Sequence, residues 1–370
     1  MRNQKLSKAK PCGSMTTPTF ESCGGVPEAG VGRQPITSGL ALVTGGTGAV
    51  CSEVAVGLAL AGLDVAFACR PTKMVECAES TSTLWRSRSV HSNRTAYYEP
   101  VDMANASSVI GFVDQVLQRF GDKLRVLINC ASVVPKSKQV TTDGQEMQFG
   151  VNVWGYYALL TGLMPALVRN APSSVVNVAS AAAKAARLNV KTLMDDLRLL
   201  PPRQYTAVEQ YRATKAAEAL LTWDAACLFA QSGVHINANH PGLTPADKST
   251  LTSGLVTTSQ KEAAGRARAC CDPPSVYSRS TLMLALNATA NGWNGVWAST
   301  QRGSTADVLS STRPVNSRDL RGKLWQGLFN LDRQLRTKFT WPSDRLLGIW
   351  GPEQMSEDRR ARFRSADAEM

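Results

Sequence analysis

The 370-residue chain predicts a doubly wound α/β fold: a parallel, seven-stranded sheet with helices on both faces. Three observations carry that reading. Short apolar runs alternate with helical patterns, and a glycine-rich turn follows the first run. Hydrophobic content of 43% with 19% charged residues suits one large buried core.

The elements follow in order. Residues 40–43 ("LALV") form a short apolar run that stops at Thr44, as a buried strand does. After "TGGTG" at 44–48, Val54, Leu58 and Ala61 recur at helical spacing, so a helix opens near Cys51 or Ser52. Residues 65–68 are a second apolar strand. Strand, glycine loop, helix and strand make the βαβ unit that sets a pyrophosphate on a helix N-terminus. Further strands are expected at 96–101, 125–129, 175–179, 235–239 and 295–298. Val109, Phe112, Val113, Val116 and Leu117 mark a helix between two of them. The apolar run 153–168 is too short to span a bilayer and reads as a buried or interfacial helix.

Three regions result. Residues 1–36, rich in Gly, Pro, Ser and Thr, form a disordered or targeting arm. Residues 37–300 form the nucleotide-binding catalytic domain. Residues 301–370 form a helical extension, with leucines at 320, 324, 328, 331 and 335, and a charged tail. Trp341, Leu346, Leu347, Ile349 and Trp350 give that tail either a membrane-surface contact or a flap on the domain's own core.

Composition narrows the function classes. Nine cysteines, an odd number without a C-x-x-C pair, argue for reduced thiols in a cytosol-like compartment. Import into mitochondria through the arm and membrane association through the tail are the alternatives. Three histidines at no ligand spacing argue against a zinc site. The net charge of +12 is scattered and lacks a nucleic-acid-binding motif; it favours anionic cofactors.

Chemistry concentrates in "YRATKAAEALLT", residues 211–222. Tyr211 and Lys215 stand at i and i+4 and share a helix face. An ammonium beside a phenol favours the phenolate; moving a phenol from about 10 to near 7 takes roughly 4 kcal/mol. Ser180 ends the strand of "VVNVAS", where a hydroxyl can hold an oxygen on which charge develops. Asn152 in "FGVNVWG" begins an apolar helix. In a parallel sheet the strands' carboxyl ends gather at one crevice, so these distant residues can meet.

With these residues in place, the chain resembles the short-chain dehydrogenase/reductases, from about Gly39 to Ala298 and more weakly to Leu335. The long Ser180-to-Tyr211 spacing, "ACR" at 68–70 and the "LW" helix resemble the retinol-dehydrogenase-like and WW-domain-oxidoreductase-like branch. The resemblance implies a Rossmann domain with Asn152, Ser180, Tyr211 and Lys215 as catalytic tetrad. Tyr211 would be the general acid, Ser180 would orient the carbonyl, and Lys215 would favour the phenolate and bind the nicotinamide ribose. Asn152 would hold a water. The cofactor would lie on Thr44, Gly45, Thr47, Gly48, Ala49 and Val50. Asp102 would steady the adenine, and Asn129, Pro241, Gly242 and Thr244 would add contacts. Cys130, Ser132 and Ala246 depart from the family pattern; in one register of its glycine loop Cys51 alone stands in place of a glycine, and in the other Ala49 and Cys51 replace two.

Cofactor choice turns on Arg70. A 2′-hydroxyl calls for an acid after the second strand; a guanidinium instead forks onto a 2′-phosphate, so NADP(H) is expected. The implied function is NADPH-dependent interconversion of a carbonyl and an alcohol on a small, by resemblance lipophilic, substrate. A homodimer is compatible with it. The alternatives are an NADP(H)-binding sensor or scaffold that turns over nothing, and an epimerase-like relative, against which Asn129 speaks. Cys51 and Cys130 are expected to line the cofactor cleft, either as reactive thiols that NADP(H) protects or as two buried small residues.

Overall fold

The computed structural model describes residues 34–88, 90, 93–242, 274–300, 308–310 and 317–338. The arm before residue 34, the tail after 338 and Thr244 lie outside the described residues.

Seven parallel strands form where the apolar runs predict them: β1 (Leu40–Thr44), β2 (Asp64–Cys69), β3 (Ala96–Pro100), β4 (Leu124–Asn129), β5 (Ser173–Val178), β6 (Val234–His240) and β7 (Trp297–Ser299). An eighth strand, β8 (Val308–Ser310), pairs antiparallel with β7 and extends the expected sheet by one edge. The order is β3-β2-β1-β4-β5-β6-β7-β8. The chain therefore reverses its winding between β1 and β4, and a crevice opens beyond their carboxyl ends.

Alternation along the strands divides the core into two layers. In β1, Leu40 and Leu42 face one layer, and Ala41 and Val43 the other. The first layer lies under α3 (Ala106–Phe120), α4 (Gly155–Arg169) and α6 (Ala207–Leu228). α5 (Leu193–Leu197) is a short helix before α6. Beneath the second layer lie α1 (Ala49–Leu60), α2 (Met74–Ser87) and, after the one-turn α7 (Pro274–Tyr277), α8 (Arg279–Asn291).

The leucine pattern after residue 317 becomes α9 (Arg318–Lys338), whose Leu324, Leu328 and Leu331 enter the first layer. Its Trp325 meets Tyr157 of α4 and Phe229 at the end of α6, with ring centroids 5.3 and 6.5 Å apart. The extension thus buttresses the back of α6, the helix that presents Tyr211 and Lys215. Among the described residues one helical stretch, Phe149–Arg169, has the length and apolarity to cross a membrane, and it is mostly buried within the fold. Of the interfacial and buried readings of this stretch, the structure takes the buried one.

Candidate functional site

The glycine loop sits at the reversal point. Gly45 adopts φ +67°, and a Cβ there would lie 2.8 Å from Ala131 Cα at the end of β4. The loop can therefore approach β4 only with glycine at this position. Gly46, which the sequence did not single out, is needed for a different reason: a Cβ would strike the Phe67 ring of β2 at 2.4 Å. Gly48 opens α1 with extended backbone and no capping side chain. The first backbone bond into the helix runs from Ser52 N–H to Gly48 C=O. The amides of Ala49, Val50 and Cys51 precede that bond, and no acidic residue lies in the first turn. Thr47 and Gly48 are exposed, and Ala49 and Val50 half-buried.

Thr44 has a different part from the one expected. Its hydroxyl donates to Ile128 C=O at 3.4 Å and accepts from Cys130 N–H at 2.9 Å and Ala131 N–H at 3.0 Å. A hydroxyl has one proton and two acceptor sites, so none is left for a phosphate. Thr44 ties β1 to β4 instead.

The cysteines correct the expectation of reduced thiols. Cys51 in the first turn of α1 is bonded to Cys130 after β4, and Cys69 at the end of β2 to Cys77 of α2. Sequence spacing could not reveal the first pair, 79 residues apart, because strand order creates its proximity. Both bridges lie at the cofactor end of the sheet, as expected of Cys51 and Cys130, but as disulfides and not as free thiolates.

The remaining cofactor candidates line the same edge. Arg70 follows β2 and is exposed. Asp102, after β3, accepts from Ala104 N–H at 2.9 Å through its carboxylate. Asn129 is fully buried and donates to Asn177 Oδ1 at 2.9 Å, while its own Oδ1 has no partner. Pro241 and Gly242 follow β6; Gly242 has φ +105° and packs under the Tyr277 ring. His240 beside them is pushed down to about 4 by burial, and the Lys184 charge adds to the shift. It is therefore neutral at physiological pH.

The tetrad candidates converge on α6. The Lys215 ammonium is 2% exposed and lies 5.7 Å from the Tyr211 ring centroid. It donates to Val178 C=O at 3.1 Å, which anchors it two residues before Ser180. Ser180 opens a 3-10 turn (Ala181–Ala185) that packs on α6, and its hydroxyl accepts from Ala182 N–H at 3.2 Å. Asn152 lies in a π-helical turn (Phe149–Trp154) ahead of α4, a widening of the kind that recurs at functional sites. Its amide accepts from Val133 N–H at 2.9 Å, donates to Val133 C=O at 3.2 Å and reaches Thr214 Oγ1 at 3.5 Å. These bonds use both amide protons, so the side chain clamps the loop after β4 to α6.

Sequence reasoning missed one member. Glu218, fully buried on α6, meets Lys215 Nζ with both carboxylate oxygens at 2.8 and 3.0 Å. An acid three residues after the lysine was the available signal, and in a helix it reads as a surface pair.

Comparison with known proteins agrees with this fold. The sequence profile of the family described as short chain dehydrogenase matches residues 39–192. Retinol dehydrogenase 13 of Mus musculus is 30% identical over 202 residues, which are 55% of this chain and 57% of that protein. Retinol dehydrogenase 12 of Mus musculus is 31% identical over 202 residues, 55% of this chain and 60% of that protein. The chain thus spans under two thirds of the length of these relatives. Among solved structures, an uncharacterized protein from Mycobacterium paratuberculosis has a TM-score of 0.60 at 24% identity. That match covers 80% of this chain and 93% of the other. The Pseudomonas aeruginosa RhlG/NADP active-site complex has a TM-score of 0.53 at 21% identity, covering 74% and 98%. At these identities the structural likeness shows the fold alone.

Proposed function

As the chain belongs to the short-chain dehydrogenase family, on the side of the retinol dehydrogenases, we propose that it is an NADPH-dependent oxidoreductase interconverting a carbonyl and an alcohol on a small substrate. The carrying observation is the buried Lys215 ammonium held under the Tyr211 ring at the end of the sheet where the winding reverses.

The residues fit a dinucleotide. Glycine at 45 lets the turn lie against the end of β4, and the N-terminus of α1 offers amides to a pyrophosphate. Arg70 would take the 2′-phosphate, and Asp102, Pro241 and Gly242 would line the remaining edge. When bound, the reduced nicotinamide supplies hydride to the carbonyl carbon. Ser180 then donates a hydrogen bond to the carbonyl oxygen, and Tyr211 gives that oxygen its phenolic proton. The Lys215 charge stabilises the phenolate left behind, across a site where burial weakens solvent screening. Asn152 fixes the π turn against α6, which keeps these groups in register.

The test has two steps. Thermal denaturation with NADPH, NADP⁺, NADH and NAD⁺ in turn is expected to show a selective rise with the phosphorylated pair, since ligand binding to the native state raises the midpoint. Carbonyl reduction is then expected in the wild type and to be lost in Tyr211→Phe, which still shows the cofactor-induced rise. No rise with any nucleotide, or full turnover in the Phe variant, overturns the assignment. A rise without turnover would favour a cofactor-binding sensor.

A further inference from the structure

Lys215 has three protons to give, and three oxygens already take them: Val178 C=O and both carboxylate oxygens of Glu218. The reaction proposed above asks the same ammonium to bind a ribose and to support a phenolate. Both demands compete with Glu218, a carboxylate with no solvent exposure on the same helix. We propose that Glu218 is a positioning residue: it grips the Lys215 ammonium from beneath and sets how much of that ammonium's charge and donor capacity reaches Tyr211 and the cofactor. This rests on the reading of Tyr211 and Lys215 as an acid–base pair.

Among the described residues Glu218 has one close countercharge. From its own helix it meets Lys215, whose ammonium lies 5.7 Å from the Tyr211 ring centroid. From α4 the buried Tyr156 ring approaches Lys215 Nζ at 6.0 Å; burial first, then the charge of Glu218, holds the Tyr156 phenol well above its ordinary range. From β5 come the neutral Asn177 amide, which bonds Thr222, and the Val178 carbonyl. The charge on the 3-10 turn, Lys184, is exposed and acts on His240. Asp332 and Arg336 of α9 pair with each other and act on Tyr157. Arg321 of α9 faces Asp224, further along α6.

The consequence has a sign. A carboxylate against the ammonium cancels part of its field at the phenol, so removing the carboxylate's charge favours the phenolate. Burial pushes Glu218 up to about 7, with Lys215 pulling it back. Below that pH the ammonium therefore stands uncompensated, and above it the pair is neutral overall. The device weakens support for the phenolate as pH rises through about 7.

The test uses the full chain and needs no turnover. The ultraviolet signal of phenolate formation is followed against pH in the wild type and in Glu218→Gln. In each background the corresponding Tyr211→Phe titration is subtracted, so that only Tyr211 is read. The midpoint is expected to move about one pH unit downward in Glu218→Gln, the scale on which a neighbouring charge acts. In Glu218→Asp, which keeps the charge, it is expected to stay near the wild-type value. Equal midpoints in wild type and Glu218→Gln overturn the proposal, as does an equal shift in Glu218→Asp, which would mark packing as the cause. Glu218→Ala removes the charge without adding a buried amide and reads the same shift should the Gln variant not fold. Because the titration reads the phenol directly, an absent carbonyl activity would defeat the proposed function and leave this result standing.

Discussion

The glycine loop offers the sharpest test of the site, through Gly45→Ala. Two costs follow from the structure. Gly45 has φ +67°, a left-handed conformation that costs an L-residue about 1 kcal/mol. The added methyl would also lie 2.8 Å from Ala131 Cα and 3.0 Å from Ala131 N, both main-chain atoms that cannot rotate away. Overpacking of this kind costs about 1–3 kcal/mol. The sum, about 2–4 kcal/mol, corresponds to a fall in Tm of roughly 5–10 °C for a domain of this size.

Gly144→Ala separates the two terms. That glycine also has a positive φ, +78°, but nothing lies within 4 Å of its Cβ position. It is expected to lose only the conformational cost, about 1 kcal/mol. Both variants are followed by thermal denaturation, with and without NADPH. Gly45→Ala is expected to lose more stability than Gly144→Ala and to lose most of its NADPH-induced rise, because the loop must move off β4. If the two variants lose equal stability and keep equal nucleotide response, the loop does not rest on Ala131 and the cradle is wrongly described.

Two further outcomes follow from charge. Arg70→Ala is expected to cut the preference for NADPH over NADH about tenfold, the discounted worth of an exposed charge-assisted contact; an unchanged ratio of the two dissociation constants contradicts the role given to Arg70. His240 binds its proton at about 4 in the fold and near 6.5 when unfolded, so the unfolded chain takes up protons first on acidification. Its contribution, up to roughly 3 kcal/mol, is present above 6.5 and lost as pH falls to about 4. His240→Gln is expected to flatten the acid limb of stability measured by urea denaturation, and an unaltered limb refutes the burial argument.

The fold was legible because its signals are local. A buried strand such as β4 must be apolar on both faces, and Leu124 and Leu127 on one face with Val126 and Ile128 on the other carry that requirement. The order of tetrad candidates was legible for a similar reason, since each sits in or beside an element that the sequence pattern marks. What escaped depends on contacts between distant elements. The need for Gly46 comes from Phe67 on the neighbouring strand, and the Cys51–Cys130 bridge from the adjacency of β1 and β4. β8 has three residues, too few for a period to declare itself. The π turn around Asn152 differs from an α turn by one residue of spacing, which side-chain periodicity over six residues does not resolve. Glu218 escaped because helical position alone does not tell a buried acid from an exposed one. Its burial follows from the packing of the π turn, β5, β6 and α9 around α6.

Cys51 draws these observations together. It occupies the place where the family pattern has its third glycine, the one that lets helix and sheet close up. The structure shows where the added side chain goes: Cys51 is 3% exposed, packed in the layer between α1 and the sheet, and bonded to Cys130. The bulk is thus accommodated on the core side of the helix, while Gly45 and Gly48 form the turn that precedes its N-terminus. The close approach of loop to sheet, which glycine would secure by absence of a side chain, is here secured by Gly45 against Ala131, by the saturated Thr44 hydroxyl and by a covalent tie. Three separate links hold the same two strand ends. The replacement of glycine by cysteine therefore alters how the cradle is held together more than it alters the surface the cradle presents.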